Sequence, residues 1–557
     1  MKTIQACAFL ALPFLAAPAL AQWNPPAGQW GKQSGADLRV MTWNVQDGIC
    51  STNQKVEGAN NWCALARIVA VLKPDVLLLE ECGDNSGNGT GSNIDTVVQL
   101  TTTIGNFLHG GNDSFHGNTP VTSYVQLYAP GYDLPYVFVN STNDGFNRNV
   151  ILSRYPFSDL NGDGQSLMGD IPTVTASQWA PGGNGGIRGF MFAEIDLPAS
   201  YPGDLVLGCA HLKAGSQSSD HAQRVTAAEN VSYVMRYWWN GNGTALPDPL
   251  NKIADNPPAT SVLDAHTPIV IGGDWNEDEF TNGTKGPADW LSMAQTSGGT
   301  SDGTDADGTD ASYEHALDFF SGSDATHVTG SKYDYLCWQD SIVTQHLSAV
   351  FESNSILGNF FPPELAGYAA PASASATASD HRPVFVDLLW SFADCNNNGQ
   401  PDDLDISGGS SHDANGDGIP DECQCFGQDY CSSLPNSTGQ TAGLVESGSL
   451  SVAANNFFLG AYGAPPGVSG IFLASQNVQN IPFGNGRLCI GPSIYRLGVA
   501  PVDAFGAAIR PIDFNSLPSG MTIAGGWTWQ FQFWFRDSAG GGTHTNLSNA
   551  RRVAFCP

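Results

Sequence analysis

Basic residues are scarce in this chain. Its 557 residues carry 22 Lys and Arg against 53 Asp and Glu, a formal net charge of -31. Such a balance opposes non-specific attraction to nucleic acid or anionic membrane and suits cation binding and solubility. It leaves room for an enzyme whose bound metal ions screen its site. Long apolar runs are missing as well. Past the N-terminal segment nothing approaches the ~20 uninterrupted apolar residues of a membrane span, so no spanning helix is expected. Cysteine is sparse, 12 in all.

What is present begins with a targeting signal. Met1-Lys2, an apolar stretch from Ala6 to Ala17 and Ala19-Leu20-Ala21 before Gln22 read as a secretory signal peptide over residues 1–21. The mature protein is therefore expected to be secreted, extracellular, periplasmic or at the cell surface. Export permits disulfides, and removal of Cys7 with the signal leaves an odd number of cysteines, hence at least one thiol. Cys50 with Cys63 and Cys489 with Cys556 are the plausible pairs, although connectivity does not follow from sequence.

A chain of this length predicts two or three domains. Leu38 to Asn44 alternates as a strand. Trp62 to Leu72 has helical spacing and is closed by Lys73-Pro74. Asp75 to Leu79 is a second strand running into Glu80-Glu81, so strand, helix and strand announce an α/β layer arrangement. The same plan recurs: Asn149 to Arg154 is a strand, Asp204 to Ala210 delivers His211, and Asp220 to Trp238 has helical periodicity. Pro268 to Ile271 ends in Gly272-Gly273-Asp274-Trp275-Asn276, where two glycines allow a tight turn. Alone, that GDxN pattern is more often a simple turn than a site. Lys332 to Trp338 carries Asp334, and a final strand to Leu389 begins with Asp380-His381. Ser297 to Asp310 is a Gly, Asp and Thr rich surface loop.

Asp394 to Gln424 differs in composition. Asp394, Asn396 and Asn398 precede Gly399, with Asp402 and Asp405 beyond; Asp413, Asn415 and Asp417 precede Gly418, with Asp421 beyond. Oxygen ligands at alternate positions before a glycine turn are the spacing of calcium loops, so Ca2+ is expected in this linker. The second copy has Gln424 where an acid would complete it. A similar pattern from Asp159 to Asp170 reads equally as a calcium clip or a plain turn. From 425 to 557 short strand-like runs predict a small all-β sandwich. The alternating Trp529, Phe531, Phe533 and Phe535 are read as its core rather than as a sugar platform.

Asn44, Glu81, His211, Asp274, Asn276, Asp334, Asp380 and His381 thus stand at or beside strand ends, where a site is built. The set is rich in carboxylates, has two histidines and offers no Ser or Cys in a nucleophile-elbow context. It suits a hard divalent cation better than zinc and makes water the nucleophile. The stretches MTWNVQ, PDVLLLEE, NVILSRYP, CAHL, GGDWN, YDYL and SDHRPV occur in that order from Leu38 to Leu389. Together they resemble the endonuclease/exonuclease/phosphatase family, which includes pancreatic-type deoxyribonucleases, abasic-site endonucleases, neutral sphingomyelinases and inositol-polyphosphate phosphatases.

The resemblance implies a four-layered α-β-β-α sandwich of two mixed sheets over residues 36–390, with the site at one end of the sheets, followed by the linker 394–424 and the sandwich 425–557. It implies Mg2+ (or Mn2+) held by Glu81 with Asn44, and Asp380 nearby. Asp274 and Asn276 match the pair beside the attacking water, His211 a phosphoryl-binding histidine, and His381 a catalytic histidine oriented by Asp334. Where the family commonly has Gln-Glu, this chain has Glu80-Glu81. The expected activity is metal-dependent phosphodiester hydrolysis, with nucleic acid the favoured substrate. A sphingomyelinase-like or inositol phosphoesterase, and a non-catalytic surface-binding protein with a relic fold, are the alternatives. The C-terminal module resembles those appended to exported planctomycete proteins and is expected to bind an unknown surface partner.

Overall fold

A computed structural model describes residues 23–49, 54–83, 95–141, 147–160, 167–168, 187–239, 266–279, 287, 291, 315–339 and 342–556, except 359, 397, 414, 415, 417, 421 and 422. The signal segment, Cys50, the 297–310 loop, most of the Asp159 to Asp170 loop, and Asn415, Asp417 and Asp421 lie outside the described residues. The chain divides into two compact units, Met1–Ser391 and Phe392–Pro557.

The first unit is built on two mixed sheets. One has seven strands and contains, side by side, β6 (Val384–Trp390), β1 (Leu38–Asn44) and β2 (Val76–Glu80). The other has five and contains β5 (Asp334–Trp338), β4 (Ile269–Asp274) and β3 (Leu205–Leu212). β1 and β2 run parallel, as do β3 and β4, whereas β6 is antiparallel to β1 and β5 antiparallel to β4. Every residue of β1 to β5 is buried. Strands covered on both faces read as continuous apolar runs instead of alternating ones, which is why these segments were legible as strands.

Alternation along β1 and β2 sorts the side chains into layers. Met41, Trp43, Leu77 and Leu79 join helix α1 (Asn61–Leu72) in one core. On the opposite face Leu78 meets Gly272 of β4, and the Cys209 thiol of β3 donates to Glu80. Helix α2 (Ser218–Trp239) packs on the second sheet and buries Ala227, Ala228 and Val231. This is the expected helix-sheet-sheet-helix order. Helix α1 starts where Asn60 accepts the Cys63 amide and ends on left-handed Lys73 ahead of Pro74.

Among its described residues the second unit is all-β apart from the short helix Asp402–Gly408. A five-stranded and a three-stranded sheet enclose a core that includes Trp529, Phe531, Phe533 and Phe535. The aromatic stripe is therefore core. The alternating Gln530 and Gln532 are buried too, and Gln532 donates to the Arg487 and Ser548 carbonyls.

The disulfides correct the sequence reading. Cys489 bonds Cys431, Cys556 bonds Cys425, and Cys395 bonds Cys423. Strand Thr545–Ala554 pairs with Phe426–Tyr430, with Phe426 opposite Ala554, and that register delivers Cys556 to Cys425. Cys63 is a buried thiol that donates to Glu57 and is bonded to no cysteine. The segment from Asp394 to Gln424 falls within the second unit.

Candidate active site

The paired ends of β1 to β5 converge on Asp274. Register places Asn44 beside Glu80 across the parallel β1–β2 pair, and Asp274 opposite Asp334 across the antiparallel β4–β5 pair. The Asn44 amide reaches between the sheets to donate to Asp274 Oδ2 at 2.9 Å. His211, at the end of β3, has Nε2 3.5 Å from the same oxygen and 3.8 Å from Glu81 Oε1. His381 Nε2 lies 3.7 Å from it. One carboxylate oxygen therefore faces an amide and two imidazoles from three other strands or strand ends.

Two turns aim the remaining groups. Glu81 and Asn276 adopt left-handed backbone at φ 53° and 55°, a conformation that costs non-glycine residues about 1 kcal/mol or more and is retained at functional sites. The turn at Glu81 directs its carboxylate toward His211 immediately after β2. At Asn276 the backbone amide donates to Asp274 Oδ1, while the side-chain amide donates to the Leu212 carbonyl. Gly273 makes the second turn possible: at its φ of 147° an added Cβ would lie 1.9 Å from the Ala210 carbonyl oxygen.

Asp334 is fully buried and binds His381 Nδ1 at 2.8 Å. Both partners are pinned. The Thr326 hydroxyl accepts the Asp334 amide, and the Ser379 hydroxyl accepts the His381 amide while donating to the Asn44 carbonyl. The Trp43 indole donates to the His381 carbonyl. Burial disfavours charge on His381, but Asp334 and then Asp274 outweigh it and push its pKa up to about 10. Burial raises Asp274 to about 7, against the pull of His381. Asp380 stands apart at the rim, accepting from the Gln46 amide and 3.6 Å from His327.

Glu80 does not point into the opening. It is wholly buried between the sheets, accepts from Thr42 and Cys209, and its Oε2 has no hydrogen-bond partner. Burial, then Asp334, raises its pKa to about 8. The extra acid is therefore protonated at neutral pH and adds no charge to the site. Thr326 and Ser379 were not anticipated from sequence. Ser379, two residues before His381, was the one within reach of a local signal.

The donor set fits a hard divalent ion: Glu81, Asn44 and Asp274 offer oxygens at one end of the sheets, and among the described residues no thiol joins them. The linker residues behave differently. Asp394 accepts the Asn398 and Gly399 amides, and Asp413 the Gly416 and Gly418 amides, so both glycine turns are Asx-stabilised. Asn396 and Asn398 both donate to Asp405, and Asp402 accepts the Cys395 amide. The first-copy residues are brought together by protein hydrogen bonds.

A cleft of about 740 Å³ opens beside Asn276, lined among others by Gly215, Ser218, His221, Asp278 and Tyr333. At its wall Glu277 is clamped by Arg224 and sits 3.0 Å from His221 Nδ1.

The profile of the Endonuclease/Exonuclease/phosphatase family matches residues 41–381, more than half of the chain. The chain belongs to this family, whose members are hydrolases acting on phosphoester bonds. Among solved structures, an endonuclease/exonuclease/phosphatase from Beutenbergia cavernae shares 14% identity over 92% of this chain and 100% of its own, with a TM-score of 0.34. Beta toxin from Staphylococcus aureus shares 12% over 63% and 99%, at 0.31. Truncated Caenorhabditis elegans TDP2 shares 13% over 64% and 97%, also at 0.31. No curated protein matches the sequence.

Proposed function

We propose that the first unit is a divalent-metal-dependent phosphodiesterase that acts on nucleic acid by attack of water. The observation that carries this reading is the convergence of Asn44, His211 and the Asp334-held His381 on Asp274 beside Glu81. Glu81 with Asn44 would hold Mg2+ or Mn2+, which when bound polarises the phosphoryl oxygens and offsets their growing charge. Asp274 orients the attacking water and takes its proton; its raised pKa suits that task near neutrality. His381, kept protonated by Asp334, and His211 donate to phosphoryl oxygens as negative charge accumulates. Asn276 borders both the site and the cleft.

The size of that cleft supports a diester over a small monoester. At about 740 Å³ it is far larger than a phosphoryl group and accommodates the groups flanking one. Tyr333 on its wall offers a ring against which a base can stack. Purified protein should hydrolyse bis-p-nitrophenyl phosphate with Mg2+ or Mn2+ and lose that activity to a chelator. A panel of plasmid DNA, RNA, sphingomyelin and inositol phosphates then decides the substrate. Faster turnover of sphingomyelin than of any nucleic acid would overturn the assignment.

Export of the protein is part of the same reading, supported by its signal-like N-terminus and the three disulfides of the second unit. Calcium in 394–424 is supported by ligand spacing and by the clustering of Asp405 with Asn396 and Asn398.

A further inference from the structure

A third histidine, absent from the catalytic set above, borders the site. His327 lies on the turn before β5, and that turn is fastened to the segment carrying Asp380 and His381. The Arg382 amide donates to the Thr326 carbonyl and the Val328 amide to the Asp380 carbonyl. The imidazoles of His327 and His381 stack edge to face with centroids 4.7 Å apart. His327 Nδ1 is occupied by the Thr329 hydroxyl at 2.7 Å, and Nε2 is turned to Asp380 Oδ2 at 3.6 Å. That separation is close to the ligand-to-ligand edge of a tetrahedron with bonds of about 2.1 Å. His327, Asp380 and His381 each offer a donor atom within 4.8 Å of the others.

We propose that His327, Asp380 and His381 form an inhibitory site for a zinc-class cation, separate from the oxygen-rich site at Glu81. The ligand chemistry selects the metal. Two imidazoles and one carboxylate favour zinc and its neighbours over magnesium, which demands oxygen ligands and gives up water reluctantly. Thr329 supplies the outer hydrogen bond that orients a ligating histidine. Only a deprotonated imidazole nitrogen ligates zinc, so occupation displaces the His381 Nε2 proton to solvent and removes a donor from the phosphoryl group; binding and catalysis compete for one side chain.

The inhibitory half rests on the phosphodiesterase reading; the binding half does not. Zinc chloride is titrated calorimetrically into the full chain in excess Mg2+, with the His327→Ala and His327→Gln variants compared after thermal melts confirm their folding. Wild type should take up zinc at this site. Both variants should bind it at least ~100-fold more weakly, at or beyond the loss that removal of a mere outer-shell partner causes. In parallel, zinc should inhibit Mg2+-supported bis-p-nitrophenyl phosphate hydrolysis by wild type. The variants should keep the basal rate and need at least ~100-fold more zinc for the same inhibition. Equal zinc affinity in wild type and folded variants overturns the site. Selective binding without any hydrolysis by wild type overturns the phosphodiesterase reading and leaves the site standing. Selective binding with hydrolysis that zinc does not inhibit overturns the inhibitory role.

Discussion

His381 shows how a single buried contact sets the chemistry of this site. Asp334 fixes its tautomer, and the two carboxylates around it hold it charged. His381→Ala and Asp334→Asn should each lower kcat by ~10²- to 10⁴-fold, the usual worth of a positioned proton-transfer group. Their thermal melts should show both variants folded. His381 has its pKa raised above the unfolded value of about 6.5. Its contribution to stability is therefore complete below that value and lost as pH rises through about 10. Glu80 has the same sense over a lower pH window. A buried carboxyl raised to about 8 binds its proton more tightly in the folded state, so stability falls as pH climbs from about 4.5 to 8. Glu80→Gln keeps the acceptor for Thr42 and Cys209 but cannot ionise. It should match wild-type activity at pH 6 to within several-fold, and its melting temperature should exceed that of wild type above pH 8. Equal melts at pH 9 would count against a buried, ionisable Glu80.

At the level of elements, the site depends on β3 and β4 lying close enough for their ends to turn together. Gly273→Ala places a methyl group on the Ala210 backbone and demands a φ that an L-residue rarely adopts. The two strands must then part, shifting Asp274 and His211 relative to each other. The expected outcome is loss of phosphoester hydrolysis together with a melting point lowered by several degrees; a wild-type melt and rate would refute this account of the turn. The strands themselves were readable because both faces are covered, which turns each into an unbroken apolar run. Their partners were not. That Asp334 sits directly opposite Asp274 follows from an antiparallel register that no local pattern encodes.

The whole molecule divides its stabilising devices between its units. The first relies on two sheets and their helices; the second carries three disulfides and the Asn/Asp-rich segment. Cys425–Cys556 closes a loop with a sequence separation of 131, long enough for the chain-entropy model to assign it about 4–5 kcal/mol. Cys556→Ser should therefore lower the melt of the second unit markedly while the first unit retains its catalytic rate. Calcium should raise the melt of the second unit, and an unchanged melt on calcium addition would weigh against ligation by the 394–424 segment. Neither change should alter kcat if the catalytic groups all reside in the first unit, as their positions from Asn44 to His381 require.

Sequence alone determined the fold class of the first unit, the order of its strands and the residues at their ends, because apolar runs, glycine turns and motif order are local properties of the chain. Tertiary structure decided what those residues are to one another. Stacking of the sheets buried Glu80 and brought Asn44 to Asp274; the turn at Thr326 pinned Asp334 and carried His327 to the rim; strand pairing in the second unit chose Cys425 for Cys556. Each depends on contacts between residues distant along the chain, where the register of paired strands, rather than spacing in the sequence, sets the distance.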